Sequence, residues 1–289
     1  MATRRLVLLG LAGLLAGCSR PRPAPDAGDA GAVSSHRYGP AAIQVADLHR
    51  PAGSAIGLPV VVMLHGGYWS SVYDRSLQED VVADLVGAGW AVWNVDYRSV
   101  GNGGGYPRTF TDVAAACDLL ADLAPELGLD ATRVAVVGHS AGGTLALWAA
   151  GRHRLAAGTP GAGPRLRPAA VVSQAGVNDL AAAAGEHLGD DAVAALLGVP
   201  PDDDPDGVYA VTSPVELLPL GVPTLVVTGD SDATVPPGHT SLYAQAATAV
   251  GDPVQLQMVA GEGHFEHLDP SSRVWGVVRE FLQAQVPPA

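Results

Sequence analysis

Short apolar runs rich in valine alternate along the chain with segments of helical spacing, and this alternation limits the possible folds more than any other feature. Six runs predict buried strands: residues 59–64, 91–95, 133–137, 169–173, 223–228 and 254–259. Four segments predict helices: residues 77–87, 111–123, 141–150 and 240–250. Strands that are apolar on both faces need cover on both faces, and parallel neighbours need crossover connections. The pattern therefore predicts an α/β fold with a mostly parallel central sheet and helices on both faces.

The first 18 residues have the layout of an export signal. Arg4 and Arg5 precede an apolar stretch that ends in Leu-Ala-Gly-Cys18, and the stretch is too short to be a comfortable membrane span. These four residues resemble the box at which bacterial lipoproteins are cleaved and acylated. The resemblance implies a signal peptide over residues 1–17, lipidation of Cys18, and an exported protein anchored to a membrane of the cell envelope. A plain signal peptide with an incidental cysteine is the alternative, and the two arginines leave a twin-arginine export route open.

The remaining chain divides into a tether and one domain. Residues 18–35 contain few large apolar side chains, so they predict a flexible tether that cannot bury enough surface to fold. Residues 36–289 predict the folded domain, with 43–48 as an antiparallel strand at the edge of the sheet. Residues 177–220 interrupt the strand–helix alternation and predict a lid-like insert, too polar to open onto lipid.

Charge and composition exclude several classes of function. The chain has 16 basic residues, all of them arginine, against 29 acidic ones, for a formal net charge of −13. Nucleic acid is excluded as a partner because phosphate binding needs a basic face. The nine histidines are scattered and the two cysteines do not pair at a metal-ligand spacing, so no metal site is predicted. If Cys18 carries lipid, Cys117 is a small buried hydrophobic residue.

A nucleophile motif lies between a predicted strand and a predicted helix. Gly138-His139-Ser140-Ala141-Gly142 matches G-x-S-x-G, and in this context the turn exposes the serine hydroxyl above the sheet. Ser140 is therefore the candidate nucleophile, and the amide of Ala141 is a candidate donor to an oxyanion. The alternative is a glycine-rich turn whose serine only caps the helix.

A second motif follows the strand predicted at residues 59–64. In His65-Gly66-Gly67-Tyr68-Trp69, the two glycines allow a close approach of backbone N–H groups to a developing oxyanion. The amides of Gly66 and Gly67 are the predicted donors. His65 is predicted to orient this loop rather than to carry protons.

Acid and base candidates follow the last two predicted strands. Asp232 is preferred over Asp230 as the acid, because Asp230 is expected to cap its turn. His264 is preferred over His267 as the base, because it lies in the glycine-rich loop directly after the strand. His267, like His239, is expected to be solvated or at a pocket rim. The chain order serine, aspartate, histidine is the order expected of α/β-hydrolases.

Together the segments HGGYW, GHSAGG, DATVP and GHF make residues 40–285 resemble an α/β-hydrolase of the esterase/lipase type. HGGYW also resembles the arylformamidase branch and the feruloyl-esterase-like carboxylesterases. The segment that packs beneath the oxyanion loop in such enzymes is matched by Asp96, Tyr97, Arg98, Tyr106, Pro107 and Asp112. These residues are predicted to be scaffold, with Tyr97 a possible pocket contact.

The resemblance implies a serine hydrolase that cleaves a small-molecule ester or amide through an acyl-enzyme and needs no cofactor. Tyr68, Trp69 and His139 are candidate substrate contacts, whereas the other four tryptophans are expected in the core. Carboxylic ester hydrolysis is preferred over arylformamidase activity because an exported protein would rarely meet a cytoplasmic formamide. A surface binding module that retains the fold is the alternative from another class. Such a module would be free to lose the serine, the histidine or an oxyanion glycine.

Overall fold

The computed structural model describes residues 31–53 and 56–288, which form one eight-stranded sheet flanked by helices. The strands are β1 (Val33–Arg37), β2 (Val45–His49), β3 (Leu58–Leu64), β4 (Ala91–Val95), β5 (Leu129–His139), β6 (Ala170–Gln174), β7 (Thr224–Gly229) and β8 (Val254–Val259). They are arranged in the order β1-β2-β4-β3-β5-β6-β7-β8. The pairs β1–β2 and β2–β4 are antiparallel and all others are parallel. This is the predicted α/β fold.

Helices cover both faces of the sheet because its central strands are apolar on both faces. Every residue of β3, β4, β6 and β7 is buried. The helices are α1 (Glu79–Gly87), α2 (Arg108–Leu123), α3 (Ala141–Gly151), α4 (Leu180–Gly185), α5 (Leu188–Leu197), α6 (Val208–Thr212), α7 (Pro237–Ala249) and α8 (Arg273–Gln285). The core forms two clusters: one includes residues of α2, α3 and the insert, and the other residues of α1 and α8. None of the described helices is long and apolar enough to cross a membrane.

The amino-terminal edge of the sheet differs from the prediction. The strand expected over residues 43–48 is observed as β2, but it is not at the edge, because β1 pairs outside it. Residues 33–35, assigned to the tether by composition, belong to β1, where backbone pairing rather than apolar burial orders them. The signal peptide and Cys18 lie outside the described residues.

The insert over residues 177–220 contains α4, α5 and α6 and packs against the carboxyl edge of the sheet. The Tyr68 ring lies so close to Gly189 that a Cβ at Gly189 would be 2.6 Å from Tyr68 Cδ1. The amide of Tyr106 donates to the carbonyl of Leu196 at 2.7 Å. The insert is therefore fixed against the loops that follow β3 and β4.

Candidate active site

Four loops meet at one edge of the sheet because β3, β5, β7 and β8 are parallel. They carry residues 65–69, Ser140, residues 230–236 and residues 261–265. In open α/β sheets, the carboxyl ends of the strands are where ligands bind. Every residue predicted for catalysis or the oxyanion hole follows one of these four strands.

Ser140 occupies a strained turn between β5 and α3. Its backbone has φ 55° and ψ −121°, a conformation that residues other than glycine rarely adopt. The turn is tight enough that a Cβ at Gly138 would lie 2.7 Å from the amide nitrogen of Gly143. The Ser140 amide donates to the carbonyl of Gln174 at 2.7 Å, which ties the turn to β6. A Cβ at Gly142 would lie 2.6 Å from the carbonyl oxygen of His65, so both glycines of the motif are sterically required.

The loop after β3 runs beside the serine. A Cβ at Gly66 would lie 3.1 Å from Ser140 Cβ, so only glycine allows this approach. Among the described residues, the amides of Gly66, Gly67 and Ala141 have no hydrogen-bond acceptor. The loops that follow β3 and β5 thus present three N–H groups that lack an acceptor among the described residues.

His65 fixes the orientation of the peptide between Gly66 and Gly67. Its Nδ1 lies 2.8 Å from the carbonyl oxygen of Gly66, which can only accept, so Nδ1 carries the hydrogen. A trans peptide points its C=O and N–H in opposite directions, so the Gly67 N–H is turned away from the His65 ring. Burial lowers the pKa of His65, and the Asp96 carboxylate, 3.7 Å from Nε2, opposes this shift. The predicted orienting role of His65 agrees with this geometry.

The predicted scaffold lies beneath His65. The Tyr97 ring stacks on the His65 ring at a centroid distance of 4.3 Å, and its hydroxyl donates to the His65 carbonyl at 2.6 Å. Asp96 pairs with Arg75, and Arg98 pairs with Asp112 at 2.6 Å. Tyr97 is buried and therefore supports the loop rather than lining a pocket.

Asp232 and His264 meet at the carboxyl edge of β7 and β8. His264 Nδ1 lies 2.7 Å from Asp232 Oδ2, and the amides of Thr234 and Val235 donate to Asp232 Oδ1. Burial alone would raise the pKa of the Asp232 carboxyl, but the hydrogen bonds from His264 and the two amides outweigh it and lower the pKa. Asp230 accepts from the amide of Gly261, as expected of a turn cap.

Two of the three predicted substrate contacts are buried in the structure. Trp69 is 1% exposed and belongs to the core, and His139 is 2% exposed with its Nε2 on the carbonyl of His264. Packing between loops turns both side chains inward. Tyr68 is partly exposed, and its hydroxyl donates to the carbonyl of Thr234. The prediction that the other four tryptophans are core is confirmed.

Of two further histidines, one differs from expectation. His267 is fully buried beside His139, at a ring-centroid distance of 5.6 Å. His239 is 6% exposed and its Nε2 lies 3.0 Å from a carboxylate oxygen of Glu186 in the insert. His267 is therefore neither solvated nor at a rim, whereas His239 lines a surface pocket with Glu186 and Leu242, as expected.

Two exposed aromatic residues near the site were not predicted. Phe265 is 63% exposed and packs edge-on against the His264 ring at 5.2 Å. Tyr73 is 46% exposed and its ring lies over Gly67. The position of Phe265 directly after His264 was the only available signal, and no motif marked Tyr73.

Within residues 31–53 and 56–288, no three histidine, cysteine, aspartate or glutamate side chains are grouped to hold a metal ion. The free thiol of Cys117 is buried, and burial raises its pKa to about 12. It is therefore a poor ligand and a poor nucleophile.

The sheet order, the strained serine turn after β5 and the acid and histidine loops after β7 and β8 define an α/β-hydrolase. Within this class, the chain belongs to the BD-FAE family, whose model matches residues 46–246.

Curated relatives share shorter segments. Carboxylesterase NlhH of Mycobacterium tuberculosis is 42% identical over 88 residues, which is 30% of this chain and 27% of that protein. Esterase LipI of the same organism is 36% identical over 106 residues, 35% of this chain and 32% of that protein. The chain thus matches about a third or less of the length of these relatives.

Solved structures are similar over nearly the whole chain. A truncated form of carbohydrate esterase from gut microbiota has a TM-score of 0.77 at 20% identity, covering 91% of this chain and 99% of that one. A thermostable esterase from Pseudomonas putida ECU1011 has a TM-score of 0.66 at 25% identity, covering 90% and 82%. The first of these likenesses concerns the fold alone.

Proposed function

We propose that the protein is a serine hydrolase that cleaves carboxylic esters, with Ser140 as nucleophile, His264 as general base and Asp232 as its orienting acid. The observation that carries the proposal is the 2.7 Å contact between His264 Nδ1 and Asp232 Oδ2, where the His264 ring contacts the residue before a serine on a strained turn. A carboxylate on Nδ1 keeps the hydrogen there and leaves Nε2 free to accept a proton.

In the first step, Ser140 Oγ attacks the ester carbonyl carbon and its proton passes to His264 Nε2. The carbonyl oxygen becomes an oxyanion, to which the amides of Gly66, Gly67 and Ala141 donate. The three free N–H groups support this role, since donors fixed before the reaction stabilise charge that develops in the transition state. The C–O bond then breaks, and the proton on His264 goes to the departing alkoxide.

In the second step, water attacks the acyl-enzyme while His264 Nε2 takes its proton. A second oxyanion forms in the same pocket, the bond to Ser140 Oγ breaks, and the proton returns to Oγ. The acid is released and the free enzyme is restored. Asp232 stabilises the imidazolium present in both steps without taking a proton itself.

Ester rather than formamide hydrolysis is supported by the relatives, a carboxylesterase and an esterase. The exposed rings of Phe265 and Tyr73 beside His264 and Gly67 support a substrate with an aryl or other flat group near the ester. We therefore propose short-chain and aryl esters as the substrate class.

The test is hydrolysis of p-nitrophenyl acetate, p-nitrophenyl octanoate, methyl ferulate and N-formylkynurenine by the purified full chain and its Ser140→Ala variant. We expect turnover of short or aryl esters and a loss of at least about 10³-fold in the variant. Preference for N-formylkynurenine would overturn the ester assignment in favour of the arylformamidase alternative. A folded wild type no more active than Ser140→Ala on every substrate would favour a binding module.

We also propose that the protein is exported and anchored to a membrane by lipid on Cys18. The support is the sequence Leu-Ala-Gly-Cys after the apolar stretch of residues 6–16. Metabolic labelling with a fatty-acid analogue should mark the wild type but not Cys18→Ala. Equal labelling of both chains, or of neither, would contradict the proposal.

A further inference from the structure

His139 connects the nucleophile loop to the base loop. It directly precedes Ser140, and its Nε2 lies 2.9 Å from the carbonyl oxygen of His264. The rings of His139 and His264 are also in contact, with centroids 4.7 Å apart. One residue therefore touches the backbone and the ring of the base while sharing a peptide bond with the serine.

The chemistry of this contact fixes the tautomer of His139. A carbonyl oxygen only accepts hydrogen bonds, so Nε2 carries the hydrogen and Nδ1 is bare. Nδ1 is buried without a partner, against the backbone of Gly66. A second proton would have no acceptor there, and burial with the neighbouring His264 lowers the pKa of His139 to about 3. The ring is a neutral donor at neutral pH.

Other hydrogen bonds hold the base loop just before His264. The Gly261 amide donates to Asp230 and the Gly263 amide donates to Glu266, but neither bond is to His264 itself. Asp232 holds only the ring of His264, at Nδ1. The bond from His139 holds its backbone, at the carbonyl. With both ends fixed, the imidazole has one orientation relative to Ser140.

We propose that His139 is a positioning residue whose Nε2–H holds the His264 backbone at a fixed distance from Ser140. This inference rests on the proposed function, in which Ser140 and His264 exchange a proton. It reassigns a residue that sequence alone made a substrate contact. A misplacement of about 1 Å between reacting groups can cost about 10²-fold in rate, so the bond should affect turnover more than substrate binding.

The test compares three variants on p-nitrophenyl acetate, with kcat, KM and melting temperature measured for each. His139→Leu removes the donor, whereas His139→Gln retains an N–H donor at a similar reach. His267→Leu is the matched control, because it removes another imidazole from the same buried cluster without touching the His264 carbonyl. Should His139→Leu not fold, His139→Asn replaces it, since its shorter amide cannot reach that carbonyl.

We expect His139→Leu or His139→Asn to lower kcat by about 10- to 100-fold with little change in KM. His139→Gln should recover most of that loss, and His267→Leu should lose stability but keep kcat within a few-fold of wild type. Full kcat in the variant without the donor would overturn the inference, and so would a loss of kcat in His139→Gln equal to that in His139→Leu. A loss of kcat in His267→Leu in proportion to its fall in melting temperature would also overturn it. Ser140→Ala, assayed in parallel, separates the two proposals. If Ser140→Ala keeps activity, the proposed function fails. If Ser140→Ala is inactive while His139→Leu keeps full kcat, the proposed function stands and only the positioning role fails.

Discussion

Replacing Gly142 with alanine should damage both stability and activity, although alanine is the better helix former. Gly142 is the second residue of α3, where the end of β3 passes closest to the helix. A Cβ there would lie 2.6 Å from the carbonyl oxygen of His65 and closer still to that of Leu64. Ordinary contact begins near 3.4 Å, so these backbones must separate by about 0.8 Å or more.

No side-chain rotation can relieve this clash, because the obstructing atoms are backbone oxygens. Overpacking of this kind costs about 1–3 kcal/mol, which outweighs the gain of about 0.5–1 kcal/mol from helix propensity. The displaced segment continues into Gly66 and lies beside Ser140, so the proposed oxyanion donors move with it. A shift near 1 Å in reacting groups implies a fall in kcat/KM of about 10²-fold.

Gly276 provides the matched control. It lies in α8, and a Cβ there would meet no heavy atom within 4 Å. Gly276→Ala should therefore raise the free energy of unfolding by about 0.5–1 kcal/mol and leave kcat/KM unchanged.

Urea unfolding and hydrolysis of p-nitrophenyl acetate by both variants measure the two effects. Wild-type stability and rate in Gly142→Ala would refute the steric reasoning. So would a loss in Gly276→Ala as large as that in Gly142→Ala, since helix position alone would then account for both.

Three further outcomes follow from individual contacts. Asp232→Asn should lower kcat by about 10³- to 10⁴-fold on p-nitrophenyl acetate without a large change in melting temperature, and a loss below 10-fold would contradict the assigned role. Burial lowers the pKa of His139 to about 3 and that of His267 well below 6.5. Below pH 6.5 the unfolded chain therefore binds protons that the folded chain does not, so the free energy of unfolding should fall as the pH drops. His267→Gln should flatten that fall by up to about 1.4 kcal/mol per pH unit in urea titrations between pH 7 and 5, and an unchanged slope would show that this imidazole does not contribute. Glu262→Ala should cost about 1–2 kcal/mol in urea unfolding, because the carboxylate accepts from the first two amides of α8, and Glu262→Gln, which keeps an acceptor, should cost less.

Burial on both faces explains why most of the sheet could be predicted. Strands such as β3 and β7 are covered on both sides, so their sequences are continuous apolar runs that composition alone reveals. β1 could not be found in this way. Its residues are mostly exposed, with Val33 at 59%, and they are held by backbone pairing with β2 and by side-chain contacts such as the hydrogen bond from Ser35 to Asp47. The Ser and His side chains of β1 are polar, so its composition does not differ from that of a flexible tether.

The helices show the same distinction between local and tertiary signals. α2 and α3 were predicted to within a few residues from their apolar spacing. The prediction began α7 at residue 240, whereas it begins at Pro237, a proline in the first turn, where the missing N–H has no cost. α8 went unpredicted, although Ser272 caps it by accepting from the amide of Trp275.

The sequence by itself determined the fold class and the loops that carry the candidate site, because strand periodicity and glycine-rich turns are local properties of the chain. The tertiary structure decided which side chains meet. Asp232 and His264 are 32 residues apart and His139 and His264 are 125 apart, so their contacts depend on strand order and on loop packing. The same packing buries His139, His267 and Trp69, whose amphipathic rings are equally suited to a pocket or a core.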